Sequence, residues 1–189
     1  MSINSRNYIT ALFGFDHIMR GVPVDAWDNP SPCSEWTARD VAGHAMGVVS
    51  NVGARAGVGK ALDVFKDVGA IAGSDPYAAW HVIRNRTLDA LDRPGALQTT
   101  FGSSAFGEVV LDDYILQMTV DIVVHGWDVA RATGGDERLD PQLVAVAYAR
   151  LQKLDPTVAR APGRYADIVA VDSAVDLQTE LLLFAGRKP

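Results

Sequence analysis

The sequence predicts an all-α chain: one domain over residues 1–189, centred on an antiparallel four-helix bundle, with extra short helices and room for a small hairpin. Three observations predict it. Apolar residues recur at i, i+3, i+4 and i+7 in several long segments, where strands would alternate. Capping residues open those segments, and Gly or Pro closes them. No repeat, heptad array or shift of composition divides the chain.

Five or six helical segments follow in order. The first runs from about Ser5 to Arg20, with Tyr8, Leu12, Phe15 and Met19 on one stripe, and stops near Gly21 and Pro23. A Pro-rich connector holds Trp27, Asn29, Pro30, Pro32 and Cys33. Thr37 then opens the second helix, and Asp40 three residues on makes a capping box with Asp in place of Glu, its charge suited to the positive helix end. Val41, His44, Ala45, Val48 and Val52 form its core-facing stripe, and Gly53, Gly57 and Gly59 weaken its far end. Within 57–74, Ala61 to Val68 is expected as a short helix.

Pro76, well placed at a first helical position, opens a third long helix ending near Leu91. Residues 92–108 are rich in turn formers and read as a small hairpin or a loop. The fourth long helix runs from Leu111 to Thr133, ahead of Gly134 and Gly135, with Asp112 and Asp113 in its first turn and Arg131 in its last. Its stripe reads Leu111, Tyr114, Met118, Asp121, His125, Asp128, Ala132. Asp140 and Pro141 open a fifth helix, and the segment LQTELLLF, closed by Gly186, ends the chain.

Composition narrows the function. Hydrophobic residues are 48% of the chain and charged residues 21%, which excludes disorder. No stretch approaches the roughly 20 apolar residues that span a bilayer, and the N-terminus lacks the basic leader and apolar core of a secretory signal. A net charge of −6 without a local Lys/Arg cluster argues against nucleic acid as a partner. The single Cys33 can form neither an internal disulfide nor a thiolate zinc site, which fits a reducing cytoplasm.

The chemistry lies in YILQMTVDIVVHGWDVA. Asp121 interrupts an apolar run, and His125 follows one turn later on the same face, so both side chains can reach one point. An isolated buried carboxylate costs several kcal/mol unless something compensates it. His44 likewise interrupts the stripe of a well-capped helix. Two His and one carboxylate from facing helices match a zinc site with its fourth position free. Spacing leaves a second reading open, in which the histidines are hydrogen-bonded core residues and Asp121 with His125 is a plain ion pair.

Other residues have two readings each. Cys33 is a reactive thiol or a small packing residue; Trp36 and Trp127 line a pocket or fill the core. Asp128 orients a ligand histidine, caps, or pairs with Arg131. Arg84 and Arg86 anchor a substrate carboxylate or are solvated, and His17 and His81 are read as structural.

The segment PSPCSEWTARDVAGHAMGVV, with Pro32, Cys33, Trp36, Arg39, Asp40 and His44, resembles a signature of the DinB-like metal-binding superfamily, in the branch containing the mycothiol-dependent maleylpyruvate isomerase. DIVVHGWDVARATG resembles that branch's second signature, an acid four residues before a His-Gly-Trp-Asp run, and LLLFAGRKP is similar to the ending of stand-alone actinobacterial members. The resemblance covers nearly the whole chain. It implies a DinB-like bundle in which His44, Asp121 and His125 hold a divalent metal, Zn²⁺ first, with Ni²⁺ or Fe²⁺ accepting the same donors.

It also implies mycothiol as a thiol cofactor and an electrophilic small-molecule substrate as its partner. One departure is that the isomerase carries Glu four residues before its histidine; Asp121 is a methylene shorter, so the backbones must approach more closely or the metal must sit nearer that helix. The chain stops near the bundle, without room for the isomerase's extra C-terminal domain, so action on maleylpyruvate is not expected to carry over. Three functions are expected, in this order: a metal-dependent, thiol-using transferase or isomerase; a metal-dependent hydrolase with Asp128 or Asp40 as base; and a non-enzymatic metal- or small-molecule-binding protein.

Overall fold

A computed structural model describes residues 1–103, 107–161, 165–170 and 174–189. Eight α-helices among the described residues are α1 (Ile3–Gly21), α2 (Ala38–Arg55), α3 (Val68–Ala72), α4 (Pro76–Leu91), α5 (Leu111–Thr133), α6 (Pro141–Leu151), α7 (Pro156–Ala159) and α8 (Leu177–Phe184). One antiparallel pair joins them, β1 (Thr100–Ser103) with β2 (Gly107–Val110), in the register Thr100 to Val110 and Ser103 to Gly107. The expected small hairpin is present; its turn, 104–106, lies outside the described residues.

Four long helices enclose the core as a ring in which α5 packs on α1 and α2, and α4 packs on the same two from the other side. Contacts along the helices give their directions. Ser2 and Asn4 bond Asp112 while Ile18 meets Gly126, so α1 and α5 run the same way. Arg20 bonds Tyr77 while Phe13 lies by Arg84, so α4 runs against α1. His44 stands beside Asp121 while Arg55 stacks on Tyr114, so α2 runs against α5. α6 covers α5, and α8 lies on α6.

Local chemistry sets these ends. The Thr37 hydroxyl accepts from the Asp40 N–H at 3.2 Å, and the Asp40 carboxylate accepts from the Thr37 N–H at 2.9 Å, so the expected capping box opens α2. Thr37→Ala is expected to cost about 1 kcal/mol, read by urea unfolding. Asp75 caps α4 ahead of Pro76, and Gly134, at φ +69°, ends α5 with a left-handed turn.

One expectation fails. Residues 61–67 are not helical, and the helix in this region begins at Val68. The Asn51 side chain explains why. It accepts from the Leu62 N–H at 2.6 Å and donates to the Leu62 carbonyl at 3.0 Å, consuming both backbone groups that a helix would use. Asp67 then turns the chain through a left-handed conformation.

Candidate metal centre

The centre forms where α2 and α5 face each other. His44 is presented by α2 and Asp121 and His125 by α5, so the apolar stripes that predicted the core also aim these groups inward. His44 Nε2 lies 3.5 Å from Asp121 Oδ2, and His125 Nε2 lies 3.7 Å from Asp121 Oδ1. One donor atom from each of the three fits within a 4.8 Å span. Both histidines are buried, and the Asp121 side chain is 19% exposed.

Those separations are long for N–H···O hydrogen bonds, which centre near about 2.9–3.0 Å. They are close to the roughly 3.4 Å between neighbouring donors of a tetrahedral site with metal–ligand distances of about 2.0–2.1 Å. Among the described residues, Asp121 Oδ2 is buried and accepts no hydrogen bond. Such an orphan is costly in a folded chain.

Both rings are held from behind. His44 Nδ1 lies 2.6 Å from the Val64 carbonyl, and His125 Nδ1 lies 2.9 Å from Asp128 Oδ2. Each partner is an acceptor, so each Nδ1 carries a proton and each ring turns its Nε2 toward Asp121. Two imidazole lone pairs and an orphaned carboxylate oxygen, all facing one point, form a donor set that only a cation or protons can satisfy. The residues present therefore fit a divalent metal.

Electrostatics without a metal point the same way. Burial opposes charge on His44, but the Asp121 carboxylate and the Val64 carbonyl outweigh it and raise its pKa. Burial likewise opposes ionisation of Asp121, but the charges of His125 and His44 outweigh it and lower its pKa.

The loop before α3 supplies the Val64 carbonyl. It lies against a notch in α2 left by Gly47, and the start of α3 against one left by Gly43. A Cβ on Gly43 would collide with the Val68 carbonyl oxygen, and one on Gly47 would lie 2.9 Å from the Val64 side chain. Two aromatic rings flank His44: Trp36 at 5.0 Å and Phe65 at 5.8 Å between ring centroids, with Trp36 also 6.4 Å from His125. The connector presents Trp36 by a turn in which Glu35 takes a φ of +68° and Pro30 bridges to Thr37.

Cys33 stands beside the centre, with Sγ 3.3 Å from Asp128 Oδ2 and 4.0 Å from His125 Nδ1. Burial, then the charge of Asp128, pushes its thiol up to about 12, so it serves as a protonated hydrogen-bond donor and not as a nucleophile. Cys33, His125 and Asp128 also have metal-ligand spacing, but the Arg187 guanidinium bonds Asp128 and Cys33 there and already supplies the positive charge.

The remaining sequence candidates lie elsewhere. Asp128 bonds His125, in line with one of its readings, but its ion-pair partner is Arg187, while Arg131 pairs with Glu137 and stacks on the buried Trp127. Arg84 is buried against Asp16, which also accepts from Trp80, so it holds α4 to α1. Arg86 reaches Ser50 at 3.4 Å, and His81 lies near Tyr77 and Asn85. His17 lines a separate cavity of about 350 Å³ between α1 and the start of α6. Sequence reasoning missed the Val64 carbonyl and the inward course of Arg187.

A family model described as the mycothiol maleylpyruvate isomerase N-terminal domain matches residues 14–130, a span that holds all three converging side chains. Two uncharacterized proteins, from two strains of Mycobacterium tuberculosis, are each 31% identical over 174 residues, which is 92% of this chain and 91% of the relative. A crystal structure of the mycothiol-dependent maleylpyruvate isomerase, a histidine-to-alanine mutant, has a similar fold, with a TM-score of 0.53 at 13% identity over 80% of this chain and 70% of that one.

Proposed function

This chain belongs to the family of the mycothiol maleylpyruvate isomerase N-terminal domain, and on that premise we propose that it is a divalent-metal-binding bundle protein that uses mycothiol in a transferase or isomerase reaction. The observation that carries the reading is the convergence of His44, Asp121 and His125 with Asp121 Oδ2 left orphaned.

His44, Asp121 and His125 would hold the metal, zinc first. A bound divalent cation supplies Lewis acidity, which favours a thiol in its thiolate form. The chain's own residues do the rest. Val64 and Asp128 keep each Nδ1 protonated and each Nε2 free. Trp36 and Phe65 flank the site with apolar surface; Phe65 is 57% exposed and offers a face to the electrophile. Cys33 stays protonated and does not compete with an incoming thiol. Three protein donors would leave room for a thiol beside the metal, and its thiolate form would be the nucleophile toward an electrophilic small molecule.

The hydrolase reading needs a free general base, and both candidates are engaged. Asp128 is taken by His125 and Arg187, and Asp40 by the capping box of α2. Among the described residues no helix is long and apolar enough to cross a membrane.

The test is a mycothiol titration of the cobalt(II)-loaded protein. A saturable sulfur-to-cobalt charge-transfer band at one thiol per protein is expected. A cobalt-loaded protein whose spectrum ignores mycothiol contradicts the thiol reading and leaves a binding protein without thiol chemistry.

A further inference from the structure

The C-terminal segment LLLFAGRKP sends a charged side chain back into the bundle. Arg187 is only 8% exposed although it stands third from the end of the chain. The turn that delivers it depends on Gly186, which sits at φ +78°; a Cβ there would lie 2.7 Å from the Ala166 side chain and 2.8 Å from its backbone. The Arg187 N–H closes the turn on the Leu182 carbonyl at 2.8 Å.

Four of the five guanidinium N–H groups are committed. Its Nε donates to Asp128 Oδ1 at 3.1 Å, one Nη donates to Asp128 Oδ2 at 2.7 Å and to Cys33 Sγ at 3.2 Å, and the other donates to the Ala185 carbonyl at 2.9 Å. Asp128 Oδ2, which it shares, is the atom that accepts the His125 Nδ1 proton.

We propose that Arg187 is a positioning residue of the metal centre: it clamps both oxygens of Asp128, so that this carboxylate holds the His125 ring in place while its negative charge is cancelled. The clamp does two things. A planar guanidinium bonded to both oxygens fixes the carboxylate's plane, and with it the direction of the Nδ1–H bond and of Nε2. With Asp128 and Arg187 cancelling, a divalent ion and Asp121 leave one net positive charge, which suits an anion in the open position. Without Arg187 that net charge is zero.

This inference rests on the metal and thiol reading above, and its test separates the two. The zinc-loaded full chain is compared with Arg187→Lys and Arg187→Met by proton NMR of the two imidazole Nδ1–H signals, followed by mycothiol titration. His44, whose Nδ1 bonds the Val64 carbonyl and not the clamp, is the internal comparison. In both variants the His125 signal is expected to shift further and exchange faster than the His44 signal. Mycothiol affinity is expected to fall at least tenfold in Arg187→Met and by less in Arg187→Lys, which keeps the charge and covers the case of a methionine variant that does not fold. Signals of His44 and His125 that move together, an unmoved His125 signal, or a mycothiol affinity within twofold of wild type in the methionine variant overturns the proposal. Wild-type protein that takes up no zinc, or takes it and ignores mycothiol, instead refutes the reading beneath it.

Discussion

Zinc affinity is expected to fall by more than about 100-fold in His44→Ala and, separately, in His125→Ala. Displacing even a supporting partner of a metal ligand commonly costs about 10–100-fold, and each of these changes removes a donor outright. The two remaining donors cannot recruit a replacement, because the other nearby acid, Asp128, already holds His125 and Arg187. Thermal unfolding gives a second readout. Wild-type protein at a zinc concentration of a hundred times its Kd gains about 2.7 kcal/mol, and the variants gain almost none of it at the same concentration. The fold itself persists, since the buried apolar residues around the site keep their contacts. His17→Ala, on the other side of α5, leaves zinc affinity unchanged.

Gly43→Ala is expected to weaken zinc about 10–100-fold without touching a ligand. The added methyl would enter the space of the Val68 carbonyl, so the start of α3, and with it the loop that leads into it, must lift from α2. Lifting it withdraws the Val64 carbonyl that fixes the tautomer of His44. Overpacking of this kind also costs about 1–3 kcal/mol of stability. Gly14→Ala is the control: a methyl at this position of α1 would meet no atom within 4 Å, and helix propensity makes the change neutral or stabilising by up to about 1 kcal/mol. Isothermal titration with zinc and urea unfolding on the two variants separate the effects. Equal zinc affinity in Gly43→Ala and wild type would mean that the loop does not support His44.

These two variants also mark what was legible in the sequence. His44, Asp121 and His125 stood out because each polar group broke an apolar stripe whose period placed it in the core. The capping box of α2, Pro76 at the head of α4 and Gly134 at the end of α5 use local rules, so their positions could be read directly. The supports of the site follow no local rule. Val64 contributes a backbone carbonyl, which every residue has, and Arg187 meets Asp128 across 59 positions. A charged residue near a chain end reads as solvated, and only the fold shows that Gly186 turns it inward. The expected helix at Ala61–Val68 failed for a related reason, since the Asn51 side chain takes the backbone groups of Leu62 from another element. Arg84, a candidate substrate anchor, proved to be the buried partner of Asp16.

The central claim is that α2 and α5 aim two imidazole nitrogens and one carboxylate at a single cation. X-ray absorption at the zinc edge of the loaded protein tests it most directly. One equivalent of zinc, with two imidazole rings and oxygen donors at about 2.0–2.2 Å and no protein sulfur, is the predicted result. A shell lacking the imidazole pair, or one with a sulfur at about 2.3 Å from Cys33, would contradict it.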